Sequence, residues 1–138
     1  MIRKLTSSDY IKYLPLISSF RETHFSFETF SQFLETIPNT MEIWIYEEGS
    51  EIIGTITIIF EPKLIFNTCT FAHIEDVCVA EFARKQGIGS KLLEFAIQRS
   101  KDMNCRKITL DCADSLVSFY SKNRFERRGN QMSILLSE

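Results

Sequence analysis

One segment constrains this chain more than any other: "CTFAHIEDVCVAEFARKQGIGSKLLEFAIQRSKDMNC", residues 69–105. It starts as a β run and ends as an amphipathic helix. Ile88, Leu92, Leu93, Phe95 and Ala96 fall on one side of that helix, with Met103 a further candidate. Between the two lies Arg84-Lys85-Gln86-Gly87-Ile88-Gly89. A strand that turns straight into such a helix has to fold the helix back onto a sheet. The turn also carries chemistry. A helix start leaves backbone N–H groups unpaired and partly positive. Glycines let an anion approach that backbone, and Arg84 and Lys85 add full charges. A phosphate or pyrophosphate suits such a turn. The G-x-x-x-x-G-K-[ST] loop is absent, and the third glycine of a dinucleotide fingerprint is missing.

The rest of the chain reads as a mixed α/β domain. "IRKL" predicts a first strand and "TSSDYIKYLPLISS" a helix capped by Thr6 or Ser7, ended or kinked at Pro15. "SFETFSQFLETIPN" predicts a second helix. Ser26 caps it, Pro38-Asn39 stops it, and Phe27, Phe30, Phe33, Leu34 and Ile37 form a core stripe. "MEIWIYEEGSEIIGTITIIFEP" predicts a hairpin turning at Gly49. After the long helix come a strand "RKITLDC", a short helix "SLVSFYSKN" and a final hairpin "RFERRGNQMSILL" turning at Gly129-Asn130. No linker or repeat divides residues 1–138, so one domain is expected.

Composition narrows the function classes. The 138 residues carry a net charge of −2, so nothing attracts nucleic acid or an anionic membrane globally. No apolar run reaches the ~20 residues of a membrane span. "MIRKLTSSDY" lacks a signal-peptide apolar core, which predicts an intracellular, cytoplasmic protein. Cys69, Cys78, Cys105 and Cys112 include no C-x-x-C pair and accompany two histidines, so free thiols and no metal are expected.

The turn and its surroundings resemble the GNAT N-acetyltransferase superfamily. There an R/Q-x-x-G-x-G/A turn between a strand and a helix holds the pyrophosphate of acetyl-coenzyme A. "HIEDVCV", "NCRKITLDC" and "VSFY" together look like the glucosamine 6-phosphate N-acetyltransferases of that superfamily, most closely over residues 71–125. The resemblance implies an α/β (α+β) GNAT fold. Its central sheet is mixed and mostly antiparallel, with a splayed pair of strands and about four flanking helices. It also implies direct attack of a sugar 2-amino group on the thioester of acetyl-coenzyme A.

Residue roles follow from the resemblance in the same way. The backbone of Val77, Cys78 and Val79 would hold pantetheine and polarise the thioester. Arg84, Lys85, Gln86, Gly87, Ile88, Gly89 and Ser90 would bind the pyrophosphate. Tyr120 would meet the leaving sulfur. Glu75 and Asp111 would serve the amine. Ser18, Lys63, Glu75, Asp76, Arg106, Lys107, Asp111 and Arg128 would line the sugar site. Adjacent strand residues face opposite ways, so Glu75 and Asp76 are expected on opposite faces. His73 reads as a capping or packing residue. Lys85 stands where the turn often has glycine, and Leu116 where an asparagine is common. Phe66 stands where a polar residue is expected, and Leu135 where relatives often carry an arginine that reaches the sugar phosphate. A homodimer built through the C-terminal strands, with both subunits contributing to the pocket, is implied as well. Two other readings stay open: a GNAT enzyme for another amine, and a non-catalytic acetyl-coenzyme A-binding domain.

Overall fold

The computed structural model describes residues 1–137, and five strands form one sheet in the order β1-β2-β3-β4-β5. The strands are β1 (Ile2–Lys4), β2 (Met41–Glu48), β3 (Glu51–Lys63), β4 (Cys69–Val79) and β5 (Lys107–Thr109). The first four pair antiparallel, and β5 joins β4 in parallel. The helices are α1 (Tyr10–Phe20), α2 (Phe27–Thr36), α3 (Ile88–Asp102) and α4 (Val117–Lys122). The fold class matches the sequence reading. β4 coincides with "CTFAHIEDVCV", and the β2–β3 turn falls at Gly49-Ser50.

Alternation along the strands builds two cores. Ile53, Ile56, Ile58, Phe60, Ala72 and Ile74 face Ile88, Leu92, Leu93 and Ala96 of α3. The other face packs Ile45, Ile52 and Cys78 against Tyr13 and Leu16 of α1 and Phe30 of α2. A bidentate pair ties α3 to the sheet. Arg99 Nε and Nη2 donate to Glu42 at 2.9 and 2.7 Å, and Trp44 Nε1 donates to the same carboxylate at 3.0 Å.

Three expectations are corrected. α1 runs through Pro15 without ending there. The carbonyl that Pro15 leaves without a donor belongs to Ile11, and both residues are exposed, so water can meet it. The aromatic stripe of α2 buries Phe30 alone, while Phe27 and Phe33 stay 48% and 47% exposed. Phe30 packs among Tyr10, Tyr13 and Phe25, so α2 leans on α1 and the connection before it, which covers a narrower stripe than a sheet face would. Ser26 caps that helix as read, accepting from Thr29 N at 3.1 Å.

The third correction is the final hairpin, which does not form. Gly129 takes the turn conformation (φ +61), yet the stretch after Phe125 contains no strand among the described residues. Met132, Ile134, Leu135 and Leu136 are 80–92% exposed. An extended segment becomes a strand only beside another hydrogen-bonding edge. The outer edge of β5 is left without a neighbouring strand, and a cavity of about 980 Å³ lies along it.

Candidate active site

β4 and β5 pair at three positions, Phe71↔Lys107, Ala72↔Ile108 and His73↔Thr109. Beyond His73 the two strands part, and among the described residues Ile74–Val79 have no strand partner on that side. The result is a fork whose arms carry the chemistry. On the β4 arm stands a bulge. Thr55 pairs with Cys78 and Thr57 with Glu75, so Asp76 and Val77 together oppose Ile56. Asp76 takes a left-handed conformation, φ +52. The expectation that Glu75 and Asp76 simply alternate is therefore replaced. Glu75 shares the face of Thr57, opposite the α3 core, and Asp76 is the inserted residue.

The basic turn lies at the far end of the β4 arm. Arg84 Nε donates to Val79 O at 3.2 Å, which ties the turn to the end of β4. Lys85 and Gly87 both have positive φ, +67 and +79. Gly87 is the N-cap of α3. Gln86 Nε2 donates to Phe82 O at 3.4 Å. Ile88 is buried in the α3 core, so only its backbone faces outward. The side chain of Cys78 is also buried, its thiol on Leu16 O at 3.6 Å, and burial pushes that thiol up. What Val77, Cys78 and Val79 offer the fork is thus backbone.

Tyr120 reaches the fork from the α3 side. Its ring packs edge-on against Phe119 and Phe125 at 5.0 and 6.1 Å. Burial, with Cys112 nearby, holds its phenol above the usual range, in its protonated form. Among the described residues no hydrogen bond engages its hydroxyl, which leaves that proton available.

On the opposite face lie the charged groups. Lys63, Phe71, His73, Glu75, Lys107 and Thr109 share it by register. Asp111 falls two residues past β5 rather than inside it, exposed between Leu110 and Cys112, which pack on the α3 core. Although Glu75 is solvent-accessible, partial burial raises its carboxyl, and Asp76 and Asp111 raise it further.

A domain model described as the acetyltransferase (GNAT) family matches residues 3–125. The chain belongs to the GNAT family. It is 38% identical over 87 residues to a glucosamine 6-phosphate N-acetyltransferase of Dictyostelium discoideum, covering 63% of this chain and 55% of that one. It is 27% identical over 135 residues to the enzyme of that name from Candida albicans, covering 94% and 89%. It also overlays the crystal structure of glucosamine-6-phosphate N-acetyltransferase from Arabidopsis thaliana. The TM-score is 0.95 at 31% identity, over 99% of this chain and 98% of the other. The chain spans about half the length of several sequence relatives, 51% and 58% for those of rice and Arabidopsis.

In this GNAT chain the cations gather at the tip of the β3–β4 hairpin. Lys63 Nζ and Lys107 Nζ stand 5.3 and 4.6 Å from the centre of the Phe71 ring. The guanidinium carbon of Arg106 stands over the Phe66 ring, 3.8 Å from its centre. Phe66, Asn67 and Thr68 all have positive φ (+57, +59, +72), a left-handed turn closed by Thr68 N to Leu64 O at 3.0 Å. Non-glycine residues rarely hold that conformation without compensating contacts. Sequence reasoning had no signal for this turn. Two expected sugar-site residues sit apart from the cluster. Ser18 donates to Thr23 O at 2.9 Å inside the α1–α2 connection, while Ser19 reaches Cys78. Arg128 pairs with Glu126 at 2.8 Å on the C-terminal stretch. Among the described residues, no group of His, Cys, Asp and Glu is arranged to hold a metal ion. No helix there is long and apolar enough to cross a membrane.

Proposed function

We propose that residues 1–138 form one N-acetyltransferase domain that moves the acetyl group of acetyl-coenzyme A to the 2-amino group of D-glucosamine 6-phosphate. The products are N-acetyl-D-glucosamine 6-phosphate and coenzyme A. The observation that carries this reading is the fork, with a protonated Tyr120 on one side and Glu75 and Asp111 on the other. A thioester lying along the β4 arm would present its sulfur to the tyrosine and its carbonyl carbon to an amine arriving between the carboxylates.

Each group then has a task. Glu75, raised above the usual carboxylate range, takes the proton from the substrate ammonium, and Asp111 holds the amine on line. The free amine attacks the carbonyl carbon, and backbone N–H groups of Val77–Val79 stabilise the oxyanion. The intermediate gives its second N–H proton to Asp111 and collapses by breaking the C–S bond; Tyr120 protonates the departing thiolate and regains its proton from solvent. The pyrophosphate rests on Arg84–Ser90, where α3 begins. Lys63, Arg106 and Lys107 hold the sugar phosphate, and Asp76 faces the sugar hydroxyls.

The enzyme works as a cytoplasmic homodimer in this reading. Support comes from the open edge of β5 beside an exposed, apolar C-terminal stretch. That stretch would become a strand in the dimer and carry Arg128 to a substrate pocket. Sedimentation of the full chain and of a chain ended after Glu126 tests it. A dimer is expected for the first and a monomer for the second.

A thiol-release assay over a panel of amines tests the reaction. Glucosamine 6-phosphate should exceed unphosphorylated glucosamine, polyamines and peptide amines in kcat/KM. Equal use of glucosamine would remove the phosphate site and leave a GNAT enzyme for another amine. Coenzyme binding with no turnover on any amine would leave a non-catalytic domain.

A further inference from the structure

The vertex of the fork is closed by a side chain that the reaction above does not use. His73 and Thr109 form the last rung between β4 and β5. Their side chains also meet, with His73 Nδ1 2.7 Å from Thr109 Oγ1. The other ring nitrogen, Nε2, lies 3.1 Å from Glu61 Oε1 on β3. One imidazole thus links three adjacent strands at the point where two of them separate. Glu61 is anchored in turn by Lys63 Nζ at 3.2 Å.

The proton positions follow from the partners. Hydrogen bonds from His73 and Lys63 hold the Glu61 carboxyl below its usual range, so it is an acceptor at neutral pH. Nε2 must therefore donate to it. In the neutral ring Nδ1 is then an acceptor, and the Thr109 hydroxyl donates to it. All three groups have defined roles, and no rotation of the ring preserves both bonds.

Two residues further along each arm stand Glu75 and Asp111. Side chains two apart share a face and lie roughly 7 Å apart along a strand. The angle at which the arms leave the His73–Thr109 rung therefore sets the distance between the two carboxylates. We propose that His73 is a positioning residue that fixes the opening of the β4–β5 fork and, with it, the separation of Glu75 from Asp111. This rests on the reading that these two carboxylates serve the acceptor amine. The backbone ladder alone holds the vertex weakly, because it has three residue pairs and ends there.

Three variants and a double variant test it. His73→Asn keeps an acceptor near the Nδ1 position and loses the reach to Glu61. His73→Gln keeps a donor near the Nε2 position and loses the link across the fork. Thr109→Val removes the same link from the other side with little change of shape. His73→Gln and Thr109→Val are each expected to lower kcat about tenfold, since small displacements of reacting groups cost that much or more. His73→Asn should lower it no more than about threefold, and the KM for acetyl-coenzyme A should stay within about twofold in every variant. The His73→Gln/Thr109→Val double variant should lose no more than either alone, because both remove one interaction. Additive losses, or equal losses in His73→Asn and His73→Gln, overturn the proposal, as does a parallel loss of coenzyme affinity.

A measurement without turnover separates this proposal from the assigned reaction. The chain has two histidines, so nitrogen-15 spectra of the imidazoles are assignable with His73→Asn. His73 should show an Nε2–H tautomer whose Nδ1 signal shifts on Thr109→Val. A ring averaging between tautomers and indifferent to Thr109→Val overturns the proposal even in an active enzyme. The expected spectrum in a protein that acetylates no amine would instead leave the vertex intact and refute the reaction.

Discussion

Gly89 and Phe119 hold the start of α3 against α4: a Cβ added to Gly89 would lie 3.0 Å from Phe119 Cζ. The next residue is Tyr120, so this contact also places the phenol. Gly89→Ala should push Phe119 aside and lower both coenzyme affinity and turnover. Gly89→Asp adds a carboxylate at a helix start meant for an anion and should weaken coenzyme binding further. Calorimetric titration with coenzyme A compares them. Equal affinities would assign the whole effect to packing and none to the anion site.

At Gly87 the expectation is different. A Cβ there meets nothing within 4 Å, but the residue's φ is +79. Gly87→Ala should cost roughly 1–2 kcal/mol through backbone strain alone, read as a lower urea midpoint. An unchanged midpoint would mean that the turn relaxes to another conformation.

Tyr120→Phe should lower kcat about 10²-fold while coenzyme affinity changes little, because in the proposed reaction the hydroxyl acts only when charge develops on sulfur. The ring keeps its contacts with Phe119 and Phe125, so the melting temperature should hold. A fall below about twofold, with chemistry limiting, would make Tyr120 a packing residue.

In the proposed reaction Glu75 sets a pH dependence. A base must be deprotonated, so kcat/KM should rise with pH through a midpoint above the ordinary carboxylate range. Asp111→Asn removes one of the charges that raise it and should move that midpoint to lower pH. Glu75→Gln should abolish the limb altogether. A limb that survives in Glu75→Gln belongs to another group.

Stability in acid should depend on Glu42. Its hydrogen bond from Arg99 holds the carboxyl below the usual range, against the opposing effect of burial. Its folded pKa is depressed, so its contribution is present above the unfolded value and is lost as pH falls through the folded one. Glu42→Gln should cost roughly 2–3 kcal/mol near neutrality, less than the ~3–5 of a fully buried pair, because Arg99 stays 31% exposed. Urea melts at neutral and acid pH should show the difference shrinking in acid.

Much of this was legible in the residues. "CTFAHIEDVCV" is apolar and β-branched enough to give β4 to the residue, and the glycine turn with its helix followed from periodicity. What escaped were features fixed by neighbours rather than by local pattern. The exposed half of the α2 stripe depends on which neighbours that helix finds, and Phe30 alone is enclosed by Tyr10, Tyr13 and Phe25. The C-terminal stretch lacks a strand beside it. The left-handed turn at Phe66–Thr68 contains no glycine to announce it. The joining of His73 to both Glu61 and Thr109 needed the register of three strands, which one sequence does not print.

The extra residue at Asp76 makes chain length, and not only side-chain identity, part of the site. Glu75 and Cys78 are three apart, yet both face away from the α3 core, which an uninterrupted strand of period two forbids. Removing one residue between them would restore the period and turn one arm over. Either Glu75 would swing into the apolar core, or Cys78 would leave its place beneath α1 and the Val77–Val79 backbone would present the wrong edge. The segment from Glu75 to Cys78 can therefore exchange side chains but cannot change its count. At Gly49-Ser50, on an exposed turn, an added residue only lengthens the loop and leaves the paired faces of β2 and β3 as they were.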